Sequence, residues 1–193
     1  TLPDVVAALA AGGVAFPALG EGAPHAGTLR IAVPDAAAAV VSALARTTSP
    51  TGSPHPEGAA GLAYAAIGLP AAHSGRAVVL ALQQSVFERS NLAIYNPGTS
   101  PVTVRAVAFS GGGDGREAPV AEGLRLEPGE WRQLDRVLEK AGMAQGWAVV
   151  ERTDGGVFGA YGVVNDGGTN DGSFLEAVAE SAPSAVLTVP AVV

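Results

Sequence analysis

The stretch from Ser90 to Leu134, SNLAIYNPGTSPVTVRAVAFSGGGDGREAPVAEGLRLEPGEWRQL, limits the possible folds most, because much of it repeats with a period of two. Leu92 and Ile94 alternate with Ala93 and Tyr95. After Asn96-Pro97-Gly98, Val102, Val104, Ala106 and Ala108 alternate with Thr103, Arg105, Val107 and Phe109. Period two sends successive side chains to opposite faces of a strand, so this spacing predicts two antiparallel strands joined at a turn. A glycine-rich loop, Gly111 to Gly115, leads to an extended Leu124–Glu127. A Pro128-Gly129 turn and a short extended run, Trp131 to Leu134, follow. The expected class is all-β, the middle of a β-sandwich.

Around this centre the remaining elements fall in order. Pro3 to Ala11 reads as a short helix, with Pro and Asp in its first turn and Gly12-Gly13 ending it. Thr28–Val33 and Ala38–Arg46 are strand candidates about a Pro34-Asp35 turn, and Thr47–Gly61, with three prolines, reads as a loop. Leu62–Ile67 and Val78–Gln84 are again extended. Asp135–Ala141 is a second short helix, stopped at Gly142. Trp147–Arg152 and Val157–Val164 read as strands of a hairpin turning at Thr153-Asp154-Gly155-Gly156; a loop, Asn165–Ser173, and a last strand-like run, Ala185–Val192, close the chain.

Comparing the chain with itself reveals a loose repeat in the order of features: short helix, Gly, strand, Asp turn, strand, Thr-containing loop. LPDVVAALAAGG corresponds to LDRVLEKAG, and RAVVLAL to SAVLTVP. The division that follows is an incomplete N-terminal unit over 1–76, a complete unit over 77–182 and a C-terminal strand over 183–193. A part-sandwich exposes apolar faces and open strand edges, which must be paired or covered. The chain's own N-terminal third, a longer tandem array or a neighbouring copy would each do so. In the last case the C-terminal run adds as a strand to the next subunit, through Val186, Leu187, Val189 and Val192. Leu29, Ile31, Val40 and Val41 form the receiving edge. Such a head-to-tail contact does not close on itself and generates filaments.

Charge narrows the partners. Eleven Lys plus Arg against 18 Asp plus Glu gives a net charge of −7, and Lys140 is the sole lysine, which argues against nucleic acid. No apolar run reaches the ~18 residues of a spanning helix. Cysteine is absent, so disulfides, thiolate nucleophiles and Cys-ligated metals are excluded. With aromatics at 5%, the core falls to Val and Ala. A start at Thr1, without Met or a basic segment, suits a processed or excised chain.

The residues SNLAIYNPGTSPVTVRA, LEPGEWRQLDRVL, GWAVVE and FGAYGVVND resemble the repeat modules of secreted and cell-surface bacterial proteins with an immunoglobulin-like sandwich fold. The resemblance covers roughly Val78 to Val178, and only faintly the N-terminal third. It implies immunoglobulin-like units in tandem with one short helix each, an extracellular or cell-surface location, and a non-catalytic role in stalks, adhesion or carbohydrate contact. It carries over no catalytic residue.

Candidate sites are few. Asn165, Asp166, Asn170 and Asp171 offer oxygen ligands, but their spacing is not that of a calcium loop and suits ordinary Asx turns better. His25, His55 and His73 read as surface histidines in loops. Glu127 and Glu130 flank a turn and read as solvated, and Gly111-Gly112-Gly113 as a hairpin loop. Trp131 and Trp147 suit either the sandwich rim or a sugar-stacking platform. No cofactor, metal or catalytic residue is expected. The partners expected are further copies of the chain, forming a filament, stalk or surface layer, or alternatively polysaccharide.

Overall fold

The computed structural model describes residues 5–13, 28–32, 34, 43–50, 59–66, 68–169 and 171–180. Among them the protein is all-β, with three antiparallel sheets, two short α-helices and one 3-10 turn, Leu69–Ala71. The helices are α1 (Val5–Ala11) and α2 (Val137–Lys140). The strands are β1 (Leu44–Pro50), β2 (Ala59–Ala65), β3 (Arg76–Gln83), β4 (Glu88–Tyr95), β5 (Val102–Ser110), β6 (Glu117–Leu126), β7 (Trp131–Leu134), β8 (Gln145–Gly155), β9 (Gly159–Asp166), β10 (Gly172–Glu176) and β11 (Val178–Ala179). β1 and β2 form a hairpin. β10-β9-β4-β7 make a four-stranded sheet and β11-β3-β8-β5-β6 a five-stranded one.

The two larger sheets share one core, and period-two alternation builds it. Val102, Val104, Ala106 and Ala108 of β5 are at most 1% exposed, as the spacing predicts, and they join Leu92 and Ile94 of β4 and Ala148 and Val150 of β8 in a single buried cluster. β3 departs from strict alternation. Ala77 and Val79 point inward, but Ala81 has φ 59, and the bulge between Val79 and Leu82 makes Leu82 the next inward residue. α2 drives Val137 and Leu138 into the same cluster. Burying a Val or Leu side chain fully is worth about 1.5–3 kcal/mol, so small inward residues suffice when many lie on both layers.

Most connections cross between layers. Only β5–β6 and β9–β10 in the two larger sheets are hairpins of consecutive strands, besides β1–β2. The two strands flanking Asn96-Pro97-Gly98 are therefore not partners: β4 pairs with β7 and β9, whereas β5 pairs with β6 and β8. The turn is a corner between sheets, and Asn96, fully buried, fastens it. Its Nδ2 donates to the carbonyls of Ser100 (2.9 Å) and Leu126 (3.0 Å), and its Oδ1 accepts from Gly98 N (2.9 Å). Likewise β8 and β9 are not a hairpin. β8 continues through Gly155, which faces Val102 of β5, before the chain changes layer.

Other expectations shift by part of an element. Thr47–Gly61 is not all loop, since β1 runs on to Pro50 and β2 begins at Ala59. β6 starts at Glu117, seven residues before the extended Leu124–Glu127 of the sequence reading. Pro119, tolerable on an edge strand, and Gly123, with φ 59, break its pattern. Residues 28–32 carry no strand. Both short helices are found, and both are followed by a positive-φ glycine, Gly13 and Gly142.

Candidate functional site

Phe158 is the aromatic of the core, and five other aromatic residues gather on the outer face of the four-stranded sheet. Inward Ile94 and Ala160 leave Tyr95 and Tyr161, their alternates, pointing away from the core. Trp131 of β7 stands opposite Tyr95, and its Nε1 donates to the Tyr161 hydroxyl at 3.0 Å. Phe174 of β10 lies 5.2 Å from Tyr161, centroid to centroid. Tyr64, brought by β2, meets Tyr161 and Phe174 edge to face at 5.6 and 5.4 Å. All three tyrosines of the chain thus lie in one cluster centred on Tyr161. Gly159 makes room for it, because a Cβ there would overlap the Tyr95 ring.

Partial burial sets the electrostatics of this face. It raises the pKa of Tyr161 and Tyr95 above the ordinary tyrosine value; the hydrogen bond from Trp131 opposes the rise at Tyr161, and the negative charge of Glu176 adds to it at Tyr95. Tyr64 is raised by burial as well, against a hydrogen bond with Thr47. The phenols stay neutral across the physiological range, each with a hydroxyl able to donate and accept. Rings plus hydroxyls suit a ligand with apolar faces and polar rims.

His73 is not a surface loop residue. It is half-buried, bridges Phe158 through N–H···O bonds of 2.7 and 3.0 Å, and sets its ring 5.4 Å from that of Phe158 with the planes tilted by 46°. Burial lowers its pKa, against raising contributions from the Ala177 backbone and Glu176. His25 and His55 lie outside the described residues.

Trp131 and Trp147 do not form one platform. Trp147 belongs to β8 and lies on the outer face of the five-stranded sheet, where its ring stacks on Phe109 at 5.6 Å with planes 7° apart. The two outer faces are on opposite sides of the molecule. In the β9–β10 loop, Asp166 Oδ1 accepts from Gly168 N (2.8 Å), Thr169 N (2.7 Å) and Thr169 Oγ1 (3.0 Å), and these bonds hold its pKa low. That is an Asx turn, and no group of three or more potential metal ligands occurs among the described residues. Glu130 accepts from Glu127 N at 2.8 Å and pairs with Arg132, so the two glutamates belong to the turn itself. In the β5–β6 loop, Asp114 is held down at about 2, first by the Arg116 backbone N–H.

Leu29 and Ile31 are 54% and 55% exposed. Val40, Val41, Val186, Leu187, Val189 and Val192 lie outside the described residues, as does Asn170. Sequence reasoning missed Tyr64, Tyr95, Tyr161 and Phe174; the usable signal was their place at the outward positions of strands whose other positions are small and apolar. No family model, curated protein or solved structure matches the chain.

Proposed function

We propose that this chain is an extracellular structural protein of bacterial origin, built of immunoglobulin-like sandwich units in tandem. It assembles head to tail by strand addition into a filament, stalk or surface layer. One observation carries the reading. The segment Thr28–Ala32 has the alternation of a strand, yet no strand pairs with it among the described residues, and Leu29 and Ile31 stand more than half exposed. An unpaired β-prone stretch of this kind is what an added strand uses. The donor is the run carrying Val186, Leu187, Val189 and Val192, and Val40 and Val41 complete the acceptor.

The strand pairing supports the immunoglobulin-like part. In that fold the second and fifth strands pair in one sheet, and the third and penultimate strands in the other. β4 with β7 and β5 with β8 fit those seats. β3 beside β8 and β9 beside β4 depart from the usual order.

Deleting Ser184–Val193 tests the assembly. Electron micrographs should lose ordered fibres while the thermal unfolding transition of the remaining chain persists, and a truncated chain that still polymerises refutes strand addition. A second reading, a carbohydrate-binding or adhesion module, is favoured by the aromatic face around Tyr161. Trp131→Ala should then abolish binding to immobilised polysaccharide, and Trp147→Ala, on the far face, should leave it intact.

A further inference from the structure

The outer face of the five-stranded sheet carries an ordered pattern of side chains; within the chain Arg76 pairs with Glu180 at its β11 end at 3.0 Å, and Val107 and Val149 are each 8% exposed between their neighbours. The cross-strand rows follow the register, and Glu122, in the β5–β6 bulge, joins its row through its ion pair with Arg105. One row is Val78, Val149, Val107 and Pro119 on β3, β8, β5 and β6, extended by Val178 of β11. Beside it runs a charged row, Arg76, Glu151, Arg105 and Glu122, in which Arg105 Nε meets Glu122 at 3.1 Å. On the other side of the apolar row, Trp147 and Phe109 stack. At the margin Leu80 and Val178 are 56% and 51% exposed. A shallow depression of ≈160 Å3 lies between the charged row and Phe109.

We infer that this face is the contact between two copies of the chain, related by a two-fold axis along the boundary between β5 and β8. The charges decide it. Read from β3 to β6 the row is plus, minus, plus, minus; reversed by the rotation it is minus, plus, minus, plus. Arg105 thereby faces the partner's Glu151, and Arg76 the partner's Glu122. The same rotation sets Phe109 over the partner's Trp147 and Val107 over the partner's Val149. Glu117 and Leu80 meet only at the rim, where Glu117 keeps its water. A self-complementary patch is the signature of an isologous contact, and two twisted sheets pack face to face at about −30°. Unlike strand addition, this contact closes on itself, so it pairs copies or bundles filaments side by side.

Sedimentation equilibrium of the full-length chain over a concentration series tests it. The wild type should dimerise, and less so at 1 M than at 0.05 M salt, concentrations spanning Debye lengths from about 3 to above 10 Å. Arg105→Glu places acid against acid twice per dimer and should raise the dissociation constant about tenfold or more. The double change Arg105→Glu with Glu151→Arg restores opposite charges across the axis and should recover dimerisation, with far-UV circular dichroism unchanged in both variants. A wild type monomeric at every concentration, an Arg105→Glu variant that pairs as well as the wild type, or a double variant no better than the single one overturns the inference. Fibre formation in the Arg105→Glu variant reports separately on strand addition.

Discussion

Replacing Asn96 by alanine tests how the two layers are joined. The amide is fully buried and makes three hydrogen bonds: to the carbonyls of Ser100 and Leu126, and from the N–H of Gly98. Alanine strips all three partners at once, and each unsatisfied buried group costs about 1–3 kcal/mol. Ser100 is exposed and Gly98 half-buried, so water restores part of the loss there; Leu126 is at 0% exposure, and its carbonyl has no such recourse. The expected destabilisation is about 3 kcal/mol, a large share of the roughly 5–15 kcal/mol that holds a domain together. Urea unfolding followed by circular dichroism should show the midpoint falling with little change in slope. Asn96→Asp sharpens the test. An ionised carboxylate cannot donate to two carbonyls, so its folded-state pKa rises above its unfolded value. The folded state then holds the proton more tightly, and the variant loses stability as pH climbs from about 4 through that raised pKa. An Asn96→Ala protein within about 0.5 kcal/mol of the wild type would refute the corner's role, that being the scatter of ordinary surface substitutions.

Gly159→Ala pushes a methyl into the Tyr95 ring and should cost about 1–3 kcal/mol, as overpacking does, with a changed near-ultraviolet dichroism from the displaced cluster; an unaltered spectrum would mean the ring does not lie over residue 159. Alkaline titration followed by tyrosinate absorbance should show Tyr64, Tyr95 and Tyr161 all ionising above the ordinary 10.0 in the folded protein. Because these acids have raised folded-state pKa values, their contribution is intact below about 10 and is lost as pH rises through the folded values; tyrosinate appearing at the free-residue pH would contradict it.

Period-two alternation made β4, β5, β7 and the inward residues Val102, Val104, Ala106 and Ala108 legible, because a buried face tolerates only apolar side chains. Partnership was not legible. Asn96-Pro97-Gly98 reads as a turn whether the chain folds back beside itself or steps to the other layer. What distinguishes the two is the bond from Asn96 to Leu126, thirty residues away. β6 was half-hidden because Pro119 and Gly123 interrupt its pattern, and those interruptions blunt an edge strand. Tyr64 and Phe174 were invisible as site residues for a related reason. Their meeting with Tyr161 depends on the β1–β2 hairpin lying against β10, which no local pattern encodes.

The crossing of layers also governs how the molecule is made. β3 meets its first partner, β8, only about 70 residues further along, with β11 later still, and at synthesis rates of about 5–20 residues per second that wait lasts several seconds. Throughout it the nascent chain holds an apolar strand without its mate, so folding should be slow and dominated by distant encounters, and a chaperone present during that interval should raise the yield.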